Sequence, residues 1–161
     1  MYSSLYASPI GPLTLVGSDA GLRAILWPDE RVGRVRLPAT TTKDDQAVLV
    51  AASTQLDQYF AGTLRRFDLP LDLSGTVFQV KAWRALADIP FGQTTSYAEQ
   101  ARRVGHPTAV RAIGSANGRN PLSIVLPCHR VVATSGALTG FAGGLEIKRW
   151  LLDFEAATLG T

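Results

Sequence analysis

Two kinds of hydrophobic spacing divide this chain near residue 72. In the first part, "LTLVG" (13–17) and "LRAILW" (22–27) are short β-like runs around "SDAG", a pattern that predicts a hairpin. Residues 32–46, rich in Arg, Pro and Thr, predict a loop. "DDQAVLVAASTQLDQYFAG" (44–62) predicts a helix stopped by Gly62. "FDLPLDLSGT" (67–76), punctuated by proline and glycine, is the expected boundary. A small α/β domain is therefore expected over 1–73 and a second domain over 74–161.

The second part is patterned for helices. Phe78, Ala82, Ala85, Leu86 and Ile89 fall on one helical stripe. "SYAEQARRV" (96–104) predicts a short helix with a Ser or Thr cap. "GHP" breaks it, and "TAVRAIGSANG" (108–118) predicts the next helix. Val110, Ile113 and Asn117 share one face of that helix; Arg111, Ala112, Ser115 and Gly118 populate the other. Two short helices around a glycine-containing break resemble a helix-turn-helix. Small side chains let a partner approach a helix closely, and arginine answers phosphate. The same small residues would equally let two helices pack inside the protein, and both readings stand on sequence alone. Leu122 to Val132 predicts a strand interrupted by Pro127. "LEIKRWLLDFEA" (145–156) predicts a final helix with Ile147, Trp150, Leu151 and Phe154 on its apolar face. Glu155 flanks that face, where a partly buried carboxylate needs a partner.

Composition narrows the classes. With 161 residues and 46% hydrophobic content, the chain can fold as one ordinary domain or two small ones. It has no apolar run of about 18 residues and no charged start followed by an apolar core, so neither a membrane span nor a signal peptide is expected. Its single cysteine excludes an internal disulfide and fits a reducing compartment. Cys128, His106 and His129 are the only Cys or His residues, too few for a thiolate-rich zinc site. No metal and no membrane partner is expected. The net charge of +3 is unevenly placed: residues 1–72 hold 7 Lys+Arg against 8 Asp+Glu, and residues 73–161 hold 9 against 5. Between 102 and 130 lie five arginines (Arg102, Arg103, Arg111, Arg119 and Arg130) and no acid. That block suits a solvated face, and it also keeps a polyanionic partner open.

The candidate chemistry sits in "IVLPCHRVV" (124–132), which places the only cysteine beside one of two histidines and against Arg130. On a regular strand Cys128 and His129 would point to opposite faces, so contact would need a bend at Pro127 or a bridging water. Taken alone, Cys128 fits an inert core thiol, His129 a satisfied core histidine, and Tyr97, on the face of Ala101 and Val104, a core filler.

"PCHRV", preceded by Asn120-Pro121 and followed by "SGALTGFAGGLEIKRWLL", resembles the active-site region of the methylated-DNA–protein-cysteine methyltransferases, the O6-alkylguanine-DNA alkyltransferases. The likeness is strong from Thr76 to Glu155 and extends weakly to "SPIGPLTL" and "QLDQYFAG". It implies an α+β fold: a ribonuclease-H-like first domain with an antiparallel sheet, then a mainly helical domain with a winged helix-turn-helix. It implies single-turnover transfer of a methyl or other alkyl group from guanine O6, and from thymine O4, in double-stranded DNA to Cys128, with no cofactor. His129 would act as base through a water, and Glu155 would orient the imidazole. Tyr97 would help to rotate the nucleotide and donate a proton toward the leaving guanine. Asn120 would link the recognition helix to the site. Arg111 would replace the extruded base, on a minor-groove surface completed by Ala112, Ser115, Gly118 and Arg119.

The same resemblance implies a base pocket built from Val125, Val131, Phe141 and Ala142. Many relatives carry Tyr at the position of Phe141 and some carry Ser at that of Ala142. This chain keeps the stacking surface and the backbone N–H there and lacks two hydroxyls, which bears on the preferred alkyl group. The implied partner is duplex DNA carrying O6-alkylguanine, met by a monomer, with cooperative assembly along DNA left open. The implied location is cytoplasmic, nucleoid-associated in a bacterium. Two other classes stand beside this one. A protein that binds alkylated DNA without repairing it would not need Cys128. A Cys–His hydrolase would need an oxyanion hole, for which the sequence gives no signal.

Overall fold

The computed structural model describes residues 1–160, which form two compact units, Met1–Ser74 and the chain from Gly75 onward. In the first unit β1 (Tyr2–Ser8), β2 (Gly11–Ser18) and β3 (Gly21–Leu26) pair antiparallel, and β4 (Thr41–Thr42) lies parallel to β1. The sheet order is β3-β2-β1-β4. The expected hairpin is β2–β3. The sequence reading lacked β1 because its polarity is inverted: Ser4 and Tyr6 face inward, and Leu5 points outward at 78% exposure. The Tyr6 hydroxyl instead donates to Asp57 at 2.7 Å, which ties β1 to α1 (Ala47–Phe60). β4 sits within the span expected as a loop. Thr41 N donates to Met1 O and Lys43 N to Ser3 O, so the sheet is mixed and not purely antiparallel.

The core of this unit follows the two hydrophobic periods. Leu13 and Leu15 alternate on β2, and Leu49, Ala52, Leu56 and Tyr59 form one stripe of α1; all six are fully buried. Each of these leucines contributes about 1.5–3 kcal/mol by leaving water.

The second unit is built from α2 (Val77–Leu86), α3 (Tyr97–Arg103), α4 (Val110–Gly118) and α5 (Leu145–Leu159), with β5 (Thr95–Ser96) parallel to β6 (Val131–Val132). Thr76 and Gln79 form a reciprocal capping box at the start of α2, and the Ser96 hydroxyl caps α3 through Glu99 N. Ala82, Ala101, Val104, Ile113 and Ala116 pack where α2, α3 and α4 meet. Gln100 and Asn117 exchange two amide hydrogen bonds at 2.9 and 2.8 Å, and Trp83 Nε1 donates to Ala116 O at 2.7 Å. These buried polar bonds fix the angle between the two short helices. Val110, expected on the inward face of α4, is 39% exposed because the helix begins there and its first turn projects past the core.

Two expectations fail in this unit. Residues 122–132 are not a strand: they run as a loop, then a 3-10 turn at Cys128–Arg130, and only Val131–Val132 pair in a sheet. Every residue from 120 to 132 is buried, so the apolar run reports burial and not extension. Pro121 and Pro127 lack the N–H donors that a central strand requires. On α5 the inward stripe is Lys148, Leu151 and Glu155. Trp150 is 36% exposed and stacks on Phe154 at a centroid distance of 5.2 Å on the outer side.

Candidate active site and nucleic-acid interface

Cys128, His129 and Arg130 form a 3-10 turn rather than a length of strand. Such a turn separates successive side chains by roughly a third of a revolution, not the half-turn of a strand. Cys128 is 6% exposed and His129 is fully buried. The loop leading to the turn is strained at Ile124, a β-branched residue with φ +77°. Asn120 braces that loop from within. Its Oδ1 accepts from Leu122 N at 3.0 Å, and its Nδ2 donates to Leu126 O at 2.8 Å. Asn120 follows directly on α4 and Arg119, so one buried amide links the end of that helix to the backbone two residues before Cys128.

Glu155 is the electrostatic centre of the site. It is fully buried and accepts four hydrogen bonds. His129 Nε2 lies 2.7 Å from Oε2; Arg130 Nη2 donates to Oε2 at 3.0 Å and Nε to Oε1 at 2.8 Å; Gly92 N donates to Oε1 at 3.0 Å. Burial alone would raise the carboxyl pKa. The hydrogen bonds from His129 and Arg130 and the charge of Arg130 outweigh it and hold Glu155 ionised, well below the usual carboxylate range. Burial lowers the His129 pKa, against the opposing pull of Glu155. The resting imidazole is therefore neutral, with its proton on Nε2 toward the carboxylate. His129 Nδ1 is buried and has no hydrogen-bond partner among the described residues. An unshared lone pair on a neutral, oriented imidazole is what a general base requires.

Tyr97, at the start of α3, reaches the glycine-rich loop before α5. Thr139 Oγ1 donates to its hydroxyl at 2.9 Å. Phe141 and Ala142 follow in the same loop and are half-buried. Val125 and Val131 are buried on either side of the turn. Val131 also presents its carbonyl to Lys148 Nζ at 2.8 Å.

The other expected residues lie apart from this cluster, on the outer face of α4. Arg111, Ala112, Ser115 and Arg119 are exposed and Gly118 is half-buried. A Cβ built on Gly118 or Gly114 would meet nothing within 4 Å. The small-residue face is thus open. The internal packing that small residues also permit is carried by Ala82, Ala101 and Ala116 instead.

Three functional residues escaped the sequence reading. Arg130 was counted with the basic block, yet it is 4% exposed and spent on Glu155, with Nη1 donating to Ile89 O at 2.7 Å. The absence of any acid in 102–130 was the available signal that its partner must come from elsewhere. Gly92 supplies an amide that no side-chain pattern announces. Its φ is +78°, and a Cβ there would fall 2.0 Å from Leu159 Cδ1. Lys148 is given no part by the sequence pattern and is fully buried.

Residues 1–73 match the family model described as 6-O-methylguanine DNA methyltransferase, ribonuclease-like domain, and residues 77–157 match its DNA binding domain. A curated relative from Methanosarcina acetivorans, named methylated-DNA–protein-cysteine methyltransferase, is 43% identical over 157 residues, covering 98% of this chain and 99% of its own length. One of the same name from Mycolicibacterium paratuberculosis is 48% identical over 148 residues, covering 92% and 88%. The crystal structure of Mycobacterium tuberculosis OGT in complex with DNA superposes with a TM-score of 0.89 at 44% identity, over 98% of this chain and 94% of that one. With both family models matched in order and nearly the whole length shared, the chain belongs to the 6-O-methylguanine DNA methyltransferase family.

Proposed function

We propose that this protein repairs DNA by direct reversal, moving the alkyl group of O6-alkylguanine onto Cys128 in a single turnover. The observation that carries the reading is the His129–Glu155 pair beside the one cysteine, with a neutral imidazole whose Nδ1 is unshared. His129, through a bridging water, takes the thiol proton, and Glu155 stabilises the imidazolium that results. The thiolate attacks the alkyl carbon. The S–C bond forms as the C–O bond breaks, and the guanine leaves with the bonding pair and takes a proton from Tyr97.

A thiol at 6% exposure cannot reach a stacked base, so the nucleotide must leave the duplex. The open face of α4 suits the minor groove. Arg111 fills the gap in the stack, with Ala112, Ser115, Gly118 and Arg119 against the backbone. Val125, Val131, Phe141 and Ala142 receive the base. Thymine alkylated at O4 offers the same displacement and belongs to the same proposal. Every group named lies in the second unit of one chain, which supports action as a monomer. The need to keep one thiol reduced supports a cytoplasmic location.

Intact-mass measurement after incubation with duplex DNA containing O6-methylguanine tests this. A stable gain of one methyl group, mapped to Cys128, is the expected result. Binding with no adduct would mean recognition without repair, and demethylation with no adduct would mean a turnover hydrolase.

A further inference from the structure

The sheet of the first unit has an unfinished edge. β4 lies beside β1 only at Tyr2 and Ser3. After Lys43 N donates to Ser3 O, the chain turns away into α1. Ser3 O faces β4, so by alternation the N–H and C=O groups of Leu5 and Ala7 face the same side. Neither residue has a backbone partner there among the described residues. Natural sheet edges are guarded by charge, proline or a bulge, and the stretch 5–7 carries none of these. Leu5 instead offers an exposed apolar side chain.

A cleft of about 490 Å³ occupies the notch where β4 stops, lined by Ser4, Leu5, Thr14, Thr42, Asp44 and Ser53. Its polar groups are unspent. Ser4 is 7% exposed, and its hydroxyl, like those of Thr14, Thr42 and Ser53, makes no hydrogen bond among the described residues. A buried hydroxyl without a partner costs free energy until a donor or acceptor reaches it. Asp44 is exposed and in no ion pair among the described residues. The neighbouring Lys43 lies over the Tyr2 ring, 5.4 Å from its centre.

We propose that this edge is a docking site for an extended segment of another protein, which adds to the sheet in line with β4 and sets a Lys or Arg side chain against Asp44. Main-chain bonds to Leu5 and Ala7 supply the affinity, and the hydroxyls and carboxylate of the cleft supply the preference. Side chains alternate along an added strand, so every second one enters the cleft. A second copy of β1 fits the edge less well, because Tyr2–Ser8 carries no cation to meet Asp44. The site lies in the first unit and uses none of the groups assigned to alkyl transfer.

The acetylated, amidated peptide Thr-Val-Lys-Val-Thr, titrated into the ¹⁵N-labelled full chain and followed by NMR, tests this. Saturable shifts at Leu5, Ala7 and Asp44, with slower exchange of the Leu5 and Ala7 amide protons, are the expected result. Asp44→Asn should weaken binding about threefold, the size of one exposed charge pair. Ala7→Pro should abolish it. Proline is tolerated at an edge position whose N–H faces solvent, so this variant keeps the hairpin. The same peptide with its residues N-methylated blocks ladder pairing with the protein unaltered, and should not bind. The absence of saturable shifts at Leu5 and Ala7 would overturn the proposal, as would equal binding of the N-methylated peptide. Shifts at this edge that follow the concentration of the protein and not of the peptide would also overturn it, and would mean that the edge pairs with a second copy of this chain.

Discussion

Arg130 grips Glu155 through two parallel hydrogen bonds, Nε to Oε1 at 2.8 Å and Nη2 to Oε2 at 3.0 Å, inside a site where neither side chain meets bulk water. The pair leaves His129 one defined acceptor for its Nε2 proton, so the arginine sets the tautomer without touching the thiol. Arg130→Met should leave a buried carboxylate with its main positive partner removed. The expected loss is about 3–5 kcal/mol, as for breaking a buried pair from one side. Urea unfolding of the two proteins reads it. A loss below 1 kcal/mol would mean that water reaches Glu155 readily once the guanidinium is gone.

Cys128→Ser should abolish alkyl transfer and keep DNA binding. The serine hydroxyl is nearly the size of the thiol and a far weaker nucleophile near neutral pH. The outer face of α4 lies outside the hydrogen-bonded cluster around Cys128, so the substitution leaves the binding surface intact. Transfer to the variant, seen as a methyl adduct by mass spectrometry, would remove Cys128 from the acceptor role.

Arg111→Ala should slow repair of duplex substrate far more than repair of a single strand carrying the same lesion. Arg111 stands exposed on a face otherwise made of small residues, while Arg102, Arg103 and Arg119 remain to contact phosphates. An equal loss on both substrates would show that the side chain is not holding the duplex open.

How much of this was legible in the sequence differs from element to element. The α1 and α2 stripes were readable because helical spacing and caps coincide there. β1 was not, because an inward Tyr6 satisfied by Asp57 makes a polar residue a core residue. "PCHRV" pointed to the proposed nucleophile, and its apolar flanks misled about shape: a buried loop and a buried strand share a composition, and only Pro121 and Pro127 argued for the loop. Glu155 could be suspected as a carboxylate beside an apolar face. Arg130, Gly92 and Lys148 could not be assigned, since each acts through a partner 25, 63 or 17 positions away.

The His129–Glu155 pair also predicts how stability responds to acid. The pKa of His129 is lowered on folding, so below about pH 6.5 the unfolded chain binds a proton that the native chain refuses. Stability should therefore fall as pH drops through that region, with a slope approaching about 1.4 kcal/mol per pH unit from this residue. Glu155, depressed in the folded state, adds its own loss only below the unfolded carboxylate range near pH 4.3. Unfolding free energies between pH 7.5 and 5, compared with His129→Gln, separate the two. The variant should be flatter between 6.5 and 5. Equal slopes would mean that the native imidazole titrates normally.

The last prediction concerns the reacted protein. S-methyl Cys128 is a thioether with no leaving path, so the modification should persist. The side chains around it in sequence, Leu122, Ile124, Leu126 and Val131, are buried to 2% exposure or less, and the backbone at Ile124 is already strained. An added methyl group there is an overpacking change of about 1–3 kcal/mol. Asn120, which hydrogen-bonds Leu126 O at one end of the loop and follows directly on Arg119, is placed to pass the displacement to α4. The methylated form should therefore melt below the unmodified form in the absence of DNA, by about 4–8 °C for each kcal/mol lost in a domain of this size. Calorimetry on the two forms at matched pH and salt decides it. An unchanged or raised melting temperature would mean that the site accepts the methyl group without strain.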